Sequence, residues 1–269
     1  MTSTLYRSNI IIMKYRSIIA IFLLVLLTGC IGSDCTTKQT TKPRHLKKLL
    51  KKNKCPNCNL GDANLTGANL VNADLSKALL VNATLDGANL ENANLENTEF
   101  AWFEGNYGPG AMLYFGCYAD LSASLENANL QNANLKSANL ERVNLQNANL
   151  AKANLTQANL WSADLNHANL QNANLKTAKL FGSELESTNL SNSNLQSADL
   201  NRANLINANL QSSSLENANL KGANLENANL KGANLKFANL YETNLNGTIM
   251  PNGEVYQEGM KLSIFINPQ

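Results

Sequence analysis

The sequence predicts an all-β solenoid built from five-residue units. An apolar residue recurs every five positions from Leu60 to Phe100, and again from Leu125 to Leu245. A small residue, nearly always Ala, stands two positions before each apolar residue, and Asn usually lies between them, as in the segment 223–225. Only 6% of the residues are aromatic, whereas Ala, Asn and Leu dominate, and such a bias is typical of repeat proteins.

The five-residue period excludes both an amphipathic helix and a flat strand. In a helix each step of five rotates the side chain by about 140°, so the leucines would scatter around the circumference. In a straight strand an odd step sends alternate leucines to opposite faces. The chain must therefore turn once per pentad, and residues such as Gly67 and Gly182 fall where a corner is expected. Four turns close a square coil of about twenty residues, with coils stacked about 4.8 Å apart.

This Ala-Asn-Leu-x-x pattern resembles the pentapeptide-repeat family, from Leu60 to Leu245 apart from one interruption. The resemblance implies a right-handed quadrilateral β-helix in which Leu or Phe and the preceding Ala point inward. We expect the outer Asn side chains, such as Asn144 and Asn149, to form polar ladders between coils and to be structural rather than ligands. The repeat blocks are residues 60–100 and 123–247.

The N-terminus predicts export. Residues 18–27 form an apolar run that follows basic residues and is too short to cross a bilayer. This pattern predicts a signal peptide over residues 1–29, and Met13 is an alternative start of the chain. The segment 27–30, Leu-Thr-Gly-Cys, resembles the lipobox of bacterial lipoproteins, which implies lipidation of Cys30; the alternative is an ordinary signal peptide. We therefore expect a lipid-anchored protein of a bacterial envelope membrane, on its periplasmic or cell-surface side.

Both ends of the solenoid are predicted to carry caps. Residues 30–59 form a tether and a short basic helix over Lys42–Lys54, with Thr41 as its N-cap. This helix covers the open end of the solenoid, or its lysines lie on anionic headgroups, and the first role is favoured because an open end promotes aggregation. Residues 248–269 carry a Pro-Asn-Gly turn at 251–253 and a β-prone segment at 261–266, which predicts a β-hairpin cap.

The interruption over residues 101–122 is the main candidate binding region. The pentad register lapses there, and glycines and a proline indicate a loop. Seven of the chain's sixteen aromatic residues lie between positions 100 and 118; beside Phe100 they are Trp102, Phe103, Tyr107, Tyr114, Phe115 and Tyr118. Either the loop is a binding excursion from one face, or its rings pack on the wall and bridge two coil stacks.

A second candidate surface follows from the twenty-residue coil. Trp161 and Phe181 each follow a Leu and are twenty residues apart, so they are expected to stack on one outer face. Tyr241 lies on the same column, three coils further on. Neighbouring exposed rings can form a contact patch, although single apolar surface residues are common.

Few residues suggest chemistry. Cys55 and Cys58 form a lone CxxC without a second pair, and in the repeat register they take a Leu-like and an Ala-like position that face the core. We therefore expect buried small residues or a structural disulfide rather than a metal site, with Cys35 and Cys117 as alternative disulfide partners. The chain has only two histidines, and no phosphate loop, nucleophile elbow or paired carboxylates appear. These observations predict a protein that is not an enzyme and has no cofactor and no metal.

The predicted function is a non-catalytic, envelope-anchored scaffold or interaction module for a protein or glycan partner. A structural envelope component without a specific partner is one alternative. The family resemblance implies another, a DNA-mimicking regulator that protects topoisomerase. The sequence disfavours it, because the segment 60–245 carries ten bases against seventeen acids in alternation and because an exported chain would not meet that enzyme. We expect no nucleic-acid partner, and the oligomeric state, with a monomer as one option, is left open.

Overall fold

The computed structural model describes residues 41–101 and 122–266, and these belong to one compact unit, Gln39–Gln269. The predicted signal peptide and Cys30 lie outside the described residues. So do six of the candidate binding residues, namely Trp102, Phe103, Tyr107, Tyr114, Phe115 and Tyr118. Within the described ranges, no helix is both long enough and apolar enough to cross a membrane.

The described chain is a four-sided β-helix, as the pentads predict. Single-residue parallel bridges join each coil to the next, and bridged residues are usually twenty positions apart. The bridges form four ladders, which we call faces 1 to 4; they begin at Lys54–Asp74, Asn59–Leu79, Asn64–Thr84 and Asn69–Asn89. Each side of the square is only three residues long, so every strand is reduced to one bridging residue.

Each pentad supplies two inward side chains and one corner. Leu165 and Ala168 are buried, and the Ala168 N–H donates to the Leu165 carbonyl at 3.0 Å to close the turn between them. The second corner residue has a left-handed backbone throughout, with φ of 61° at His167 and 56° at Thr177. Glycine at this position is therefore one option among several, and Asn, which tolerates this conformation, is common there.

The outer Asn residues have two roles. On face 4 the Asn149 Nδ2 donates to Asn129 Oδ1 at 3.1 Å, and Asn169 Nδ2 donates to Asn149 Oδ1 at 3.2 Å. The same Oδ1 of Asn149 accepts the N–H of Ala151 at 3.3 Å, at the start of the next corner. The side chain thus stabilises its own turn as well as the ladder, which explains why Asn recurs at the bridging position.

The repeat continues one pentad beyond the predicted block at each end. Cys55 occupies the inward Leu position after the Lys54–Asp74 bridge and is fully buried. At the other end Ile249 bridges Asn229, and Met250 is fully buried in the corresponding place. The inward position of Cys55 confirms the expectation from its register, whereas the pentad that ends at Met250 was not predicted.

Helix α1, Pro43–Lys52, lies against the first coil. Its Leu49 is buried in the solenoid core and Leu46 packs against the core. The Asn59 N–H, at the first position of face 2, donates to His45 Nδ1 at 2.9 Å. The expected Thr41 N-cap is wrong: Lys42 holds that position without a side-chain cap, and the Thr41 hydroxyl donates to the Gly61 carbonyl instead.

The C-terminal segment combines a hairpin with a helical turn. The chain reverses at Pro251, and Val255 forms an antiparallel bridge to Ile249. The β-strand expected over residues 261–266 is wrong, because Ser263–Ile266 form a helical turn, α2. Leu262, Phe265 and Ile266 pack against the core. Their spacing of three and four residues places all three on one side of a helical turn, but not of a strand.

Candidate interaction surface

One edge of the solenoid combines the aromatic column with the insertion point. We call this edge corner 2, the turns that follow face 2. Its first residues, in stacking order, are Gly61, Val81, Ala101, Glu141, Trp161, Phe181, Asn201, Lys221 and Tyr241. Adjacent members are about 4.8 Å apart along the stack.

The insertion leaves and rejoins the solenoid within a single turn of corner 2. The Ala123 N–H donates to the Phe100 carbonyl at 2.9 Å, which is the bond that closes other corners between residues three apart. Next to this turn, Thr84 bridges Ser124 across forty positions, so the two repeat blocks stack directly. The expected loss of register is therefore wrong. Residues 102–121 add twenty residues to one corner, and the pentad register of the coils continues on the other side of the insertion.

Trp161 and Phe181 are in contact on this edge. Their ring centroids are 5.6 Å apart and the rings are nearly perpendicular, with an interplanar angle of 83°. The corner residues that follow them are small, Ser162 and Gly182. Both rings remain half-buried. Edge-to-face packing of this kind contributes about 0.5–1.5 kcal/mol beyond area burial, so the pair forms a rigid apolar feature on the surface.

Corner 2 also carries cations at its far end. Lys221 Nζ lies 5.2 Å from the centroid of the Tyr241 ring, and Tyr241 is 62% exposed. Arg142 and Arg202 are exposed at second corner positions on the same edge. Aromatic rings and arginines are the side chains that most often dominate binding energy at protein interfaces.

Glu141 is the unexpected member of corner 2. It lies between Ala101 and Trp161 and is only 8% exposed. Burial raises the pKa of the Glu141 carboxyl, and it outweighs the hydrogen bond from Asn159 and the charge of Arg142, which lower it. Asn159 Nδ2 donates to Glu141 Oε2 at 3.3 Å. A buried carboxylate beside the insertion point is thus part of this edge.

Charge is segregated around the solenoid, in contrast to its alternation along the sequence. Face 3 and the corner after it carry six carboxylates and no Lys or Arg; these are Asp86, Glu126, Asp164, Glu184, Glu186 and Glu226. Most accept hydrogen bonds from neighbouring amides, as Glu184 Oε2 does from Asn204 at 2.8 Å. The argument from alternating charge against a DNA-mimicking regulator therefore does not apply to face 3 and the corner after it.

Cys55 and Cys58 form a disulfide across the first corner, with their Cα atoms 5.4 Å apart. They take the inward Leu and Ala positions and both are buried, so the pair is part of the core. His167 is exposed on the corner that follows face 3. Among residues 41–101 and 122–266, no group of three or more His, Cys, Asp or Glu is placed to hold a metal ion.

Sequence reasoning proposed the loop and the Trp161–Phe181 column as separate surfaces. The structure brings the insertion point and the column to one edge, with Trp161 two coils, or about 10 Å, from Ala101. The sequence contained a sign of this, because the difference between positions 101 and 161 is a multiple of the twenty-residue coil; the insertion itself accounts for one of the three multiples. Glu141 was missed, since nothing in its local sequence distinguishes a buried corner residue from an exposed one.

Comparisons with known proteins agree with the repeat. Pentapeptide repeats match in eight copies, over residues 58–97, 123–161, 144–182, 162–196, 183–222 and 213–250. Among solved structures, HetL, a pentapeptide repeat protein involved in heterocyst differentiation regulation from the cyanobacterium Nostoc sp. strain PCC 7120, is 29% identical. The match covers 81% of this chain and 100% of HetL, with a TM-score of 0.48.

Two further solved structures illustrate the range. The pentapeptide repeat protein alr5209 from Nostoc PCC 7120 is 35% identical over 33% of this chain and 78% of its own, with a TM-score of 0.30. QnrB1, a plasmid-mediated fluoroquinolone resistance protein, is 14% identical over 71% of this chain and 87% of its own, with a TM-score of 0.41. No curated protein sequence matches the chain. Because the repeat matches span more than half of the sequence, the chain belongs to the pentapeptide-repeat family.

Proposed function

We propose that this protein is a non-catalytic interaction module, anchored to a bacterial envelope membrane through a lipid on Cys30, and that corner 2 is its contact surface. The observation that carries the proposal is the position of the insertion. A segment with six aromatic residues departs from the same edge that carries the Trp161–Phe181 pair. Two aromatic-rich features on one edge of an aromatic-poor protein favour a binding role for that edge.

The rest of the solenoid supports this role as a rigid carrier. Every coil is held to its neighbours by backbone bridges and by buried Leu and Ala side chains, so corner 2 is presented on a continuous core. Helix α1 and the C-terminal segment serve as caps in this proposal, because their apolar side chains pack on the core at the two ends. The partner is a protein or a glycan, since both classes bind to exposed aromatic side chains flanked by polar groups.

The proposal is tested by cross-linking in intact cells followed by capture of the chain. Three forms are compared with the wild type: one lacking residues 102–121, one carrying Trp161→Gln and Phe181→Gln, and a control carrying Phe237→Gln. Phe237 is 55% exposed on a different corner, so the control removes exposed aromatic surface elsewhere. We expect specific partners with the wild type and the control only. Identical partners with all four forms would contradict the assignment of corner 2.

The lipid anchor is tested separately. We expect Cys30→Ala to abolish lipidation and to release the chain from the membrane fraction. Unchanged processing and membrane association in that variant would contradict the anchor, without affecting the assignment of corner 2.

The carboxylates of face 3 and the corner after it support a second candidate, the DNA-mimicking regulator. Six carboxylates lie along the six coil steps from Asp86 to Glu226, which is about one charge per 5 Å. Duplex DNA carries one charge per about 1.7 Å, so the face has roughly a third of that density. The candidate predicts inhibition of purified DNA gyrase by the wild type, and relief of that inhibition when the six carboxylates are replaced by amides. No inhibition by the wild type would exclude it.

A further inference from the structure

We propose that the outer side of helix α1 is a docking surface for anionic lipid headgroups, and that it holds the N-terminal end of the solenoid on the membrane. This inference deepens the proposed membrane anchoring by naming the chemistry of a second contact beside the lipid. The surface consists of Lys42, Arg44, Lys47, Lys48, Lys51 and Lys52, and all six residues are exposed.

The helix leaves these cations free because its other side is used by the solenoid. Leu49 is buried in the core and Leu46 packs against it. At 100° per residue, Arg44, Lys47 and Lys51 lie on the side of the helix opposite Leu49. The two roles considered for this helix, a cap over the coil and a contact with headgroups, therefore use different sides and do not compete.

The helix is also held firmly against the first coil. The Lys42 N–H donates to the Asn59 carbonyl at 3.4 Å, and the Asn59 N–H donates back to His45 Nδ1 at 2.9 Å. Cys55 Sγ lies 3.4 Å from the His45 carbonyl oxygen. The cations are thus fixed to one end of the solenoid, so that binding through them orients the whole coil stack.

The charge of this surface is not neutralised within the described structure. Residues 41–54 contain no Asp or Glu, and no acidic residue lies in the first turn of α1. The ion pair nearest to the helix in the described ranges joins Lys54, which is not one of the six, to Asp74 at 3.8 Å. Juxtamembrane cations gain about 1 kcal/mol each from an anionic leaflet, so about fivefold in affinity per cation.

The exposure of Leu50 favours a lipid surface over other polyanions as the partner of this helix. It is 63% exposed, in the last turn of a helix whose other two leucines contact the solenoid. Lys47, three residues earlier, is its neighbour on the helix surface, and Lys51 lies beyond it on the same side. An apolar side chain among lysines is typical of helices that lie in the headgroup region, where the apolar group inserts while the ammonium groups bind phosphates.

The distance to the anchor is compatible with this contact. Eleven peptide bonds separate Cys30 from Thr41, and a chain of that length spans at most about 36–40 Å. A lipid on Cys30 therefore allows α1 to reach the headgroups of the same leaflet.

The test uses the chain from residue 30 onward with Cys30→Ser, which removes the lipid and retains the compact unit Gln39–Gln269. Binding is measured by co-sedimentation with phosphatidylcholine vesicles that contain either no anionic lipid or about 30% phosphatidylglycerol. We expect binding to the anionic vesicles only, and weakening as the salt concentration rises.

Two triple variants separate the helix from the overall charge. Arg44→Gln, Lys47→Gln and Lys51→Gln together are expected to weaken vesicle binding about 100-fold. The control changes Lys152, Lys176 and Lys231 to Gln, which are exposed residues of the solenoid wall, and its affinity should stay within about twofold because distant charges are screened. Equal losses in the two variants, or no binding by the parent chain, would overturn the proposal.

Leu50→Gln distinguishes lipid from other polyanions. We expect it to weaken vesicle binding about tenfold, from the lost apolar contact, and to leave the affinity for duplex DNA unchanged. A chain that binds DNA as tightly as vesicles, with no effect of Leu50→Gln on either, has a general polyanion surface and refutes the membrane assignment. Because Cys30 is absent throughout, these results do not depend on whether the lipid anchor exists.

Discussion

Removing residues 102–121 should stabilise the solenoid. The deletion joins Ala101 to Ser122 and creates the sequence Phe-Ala-Ser-Ala-Ser-Leu, which matches an ordinary pentad. The corner is already closed by the bond from the Ala123 N–H to the Phe100 carbonyl at 2.9 Å, and Thr84 already bridges Ser124. The shortened chain therefore needs no rearrangement of the neighbouring coils.

The size of the gain follows from loop closure. Bringing together the ends of a flexible loop of about twenty residues costs (3/2)RT ln n, which is about 2–3 kcal/mol. A direct corner avoids this cost. If the insertion is an excursion that adds no packing to the coils, its removal should raise the free energy of unfolding by about that amount.

Urea denaturation followed by circular dichroism measures the change. A second form, in which residues 102–121 are replaced by a Gly-Ser linker of equal length, retains the closure cost but loses the aromatic side chains. We expect this linker form to match the wild type and the deletion to exceed both. A deletion that destabilises the chain, together with a destabilised linker form, would show that the aromatic rings pack on the wall and would refute the reasoning.

Four further substitutions test individual parts of the structure. Leu165→Ala should lower the free energy of unfolding by about 3–5 kcal/mol in urea titrations, because bonded coils on both sides prevent collapse into the cavity. Thr177→Asn should raise it by about 0.5–1 kcal/mol, because a β-branched residue is strained at φ 56°. Glu141→Gln should stabilise the chain at neutral pH and remove a decline in stability with rising pH, as shown by thermal melts at several pH values. His45→Phe should loosen α1 by about 1–3 kcal/mol by leaving the Asn59 N–H unpaired, with faster hydrogen exchange at that amide.

The pH prediction depends on the sign of the Glu141 shift. Burial raises the pKa of Glu141 in the folded state, so the folded chain binds this proton more tightly than the unfolded chain. The contribution of this carboxyl to the free energy of unfolding is therefore smallest above its raised pKa, and it grows as the pH falls through that pKa. An identical pH profile for Glu141→Gln and the wild type would contradict the burial of this group.

A cost below 1 kcal/mol for Leu165→Ala would equally contradict its inward position.

The coil architecture was predictable because the pentad period is a geometric constraint. Inward Leu and Ala, a turn in every pentad and a coil of about twenty residues follow from Leu60 to Leu245, and the structure confirms them. The right-handed sense expected for the coil agrees with membership of the pentapeptide-repeat family. The contact between Trp161 and Phe181 followed from the same arithmetic.

Two kinds of feature were not predictable: those that depend on the position of a residue around the coil, and those in which local β propensity competes with packing against the core. Six acidic residues that are scattered among lysines along the chain come together on face 3 and the corner after it only because every fourth pentad stacks on the same side of the coil. At the C-terminus, residues 261–266 have β propensity, but their apolar spacing packs better as a helical turn against the core. The insertion seemed to interrupt the register because nothing local shows that both of its ends belong to one corner.

The most direct test of corner 2 as the contact surface is site-specific photo-cross-linking in cells. The cross-linking residue is placed at Ser162, beside Trp161, or at Asn172, which is exposed on the corner diagonally opposite. Both positions are second corner residues with φ near 50–60° and are ten residues apart. We predict specific adducts from position 162, absent from position 172 and lost when Trp161 and Phe181 are changed to Gln. The same adducts from both positions, or adducts from 172 alone, would contradict a binding role for corner 2.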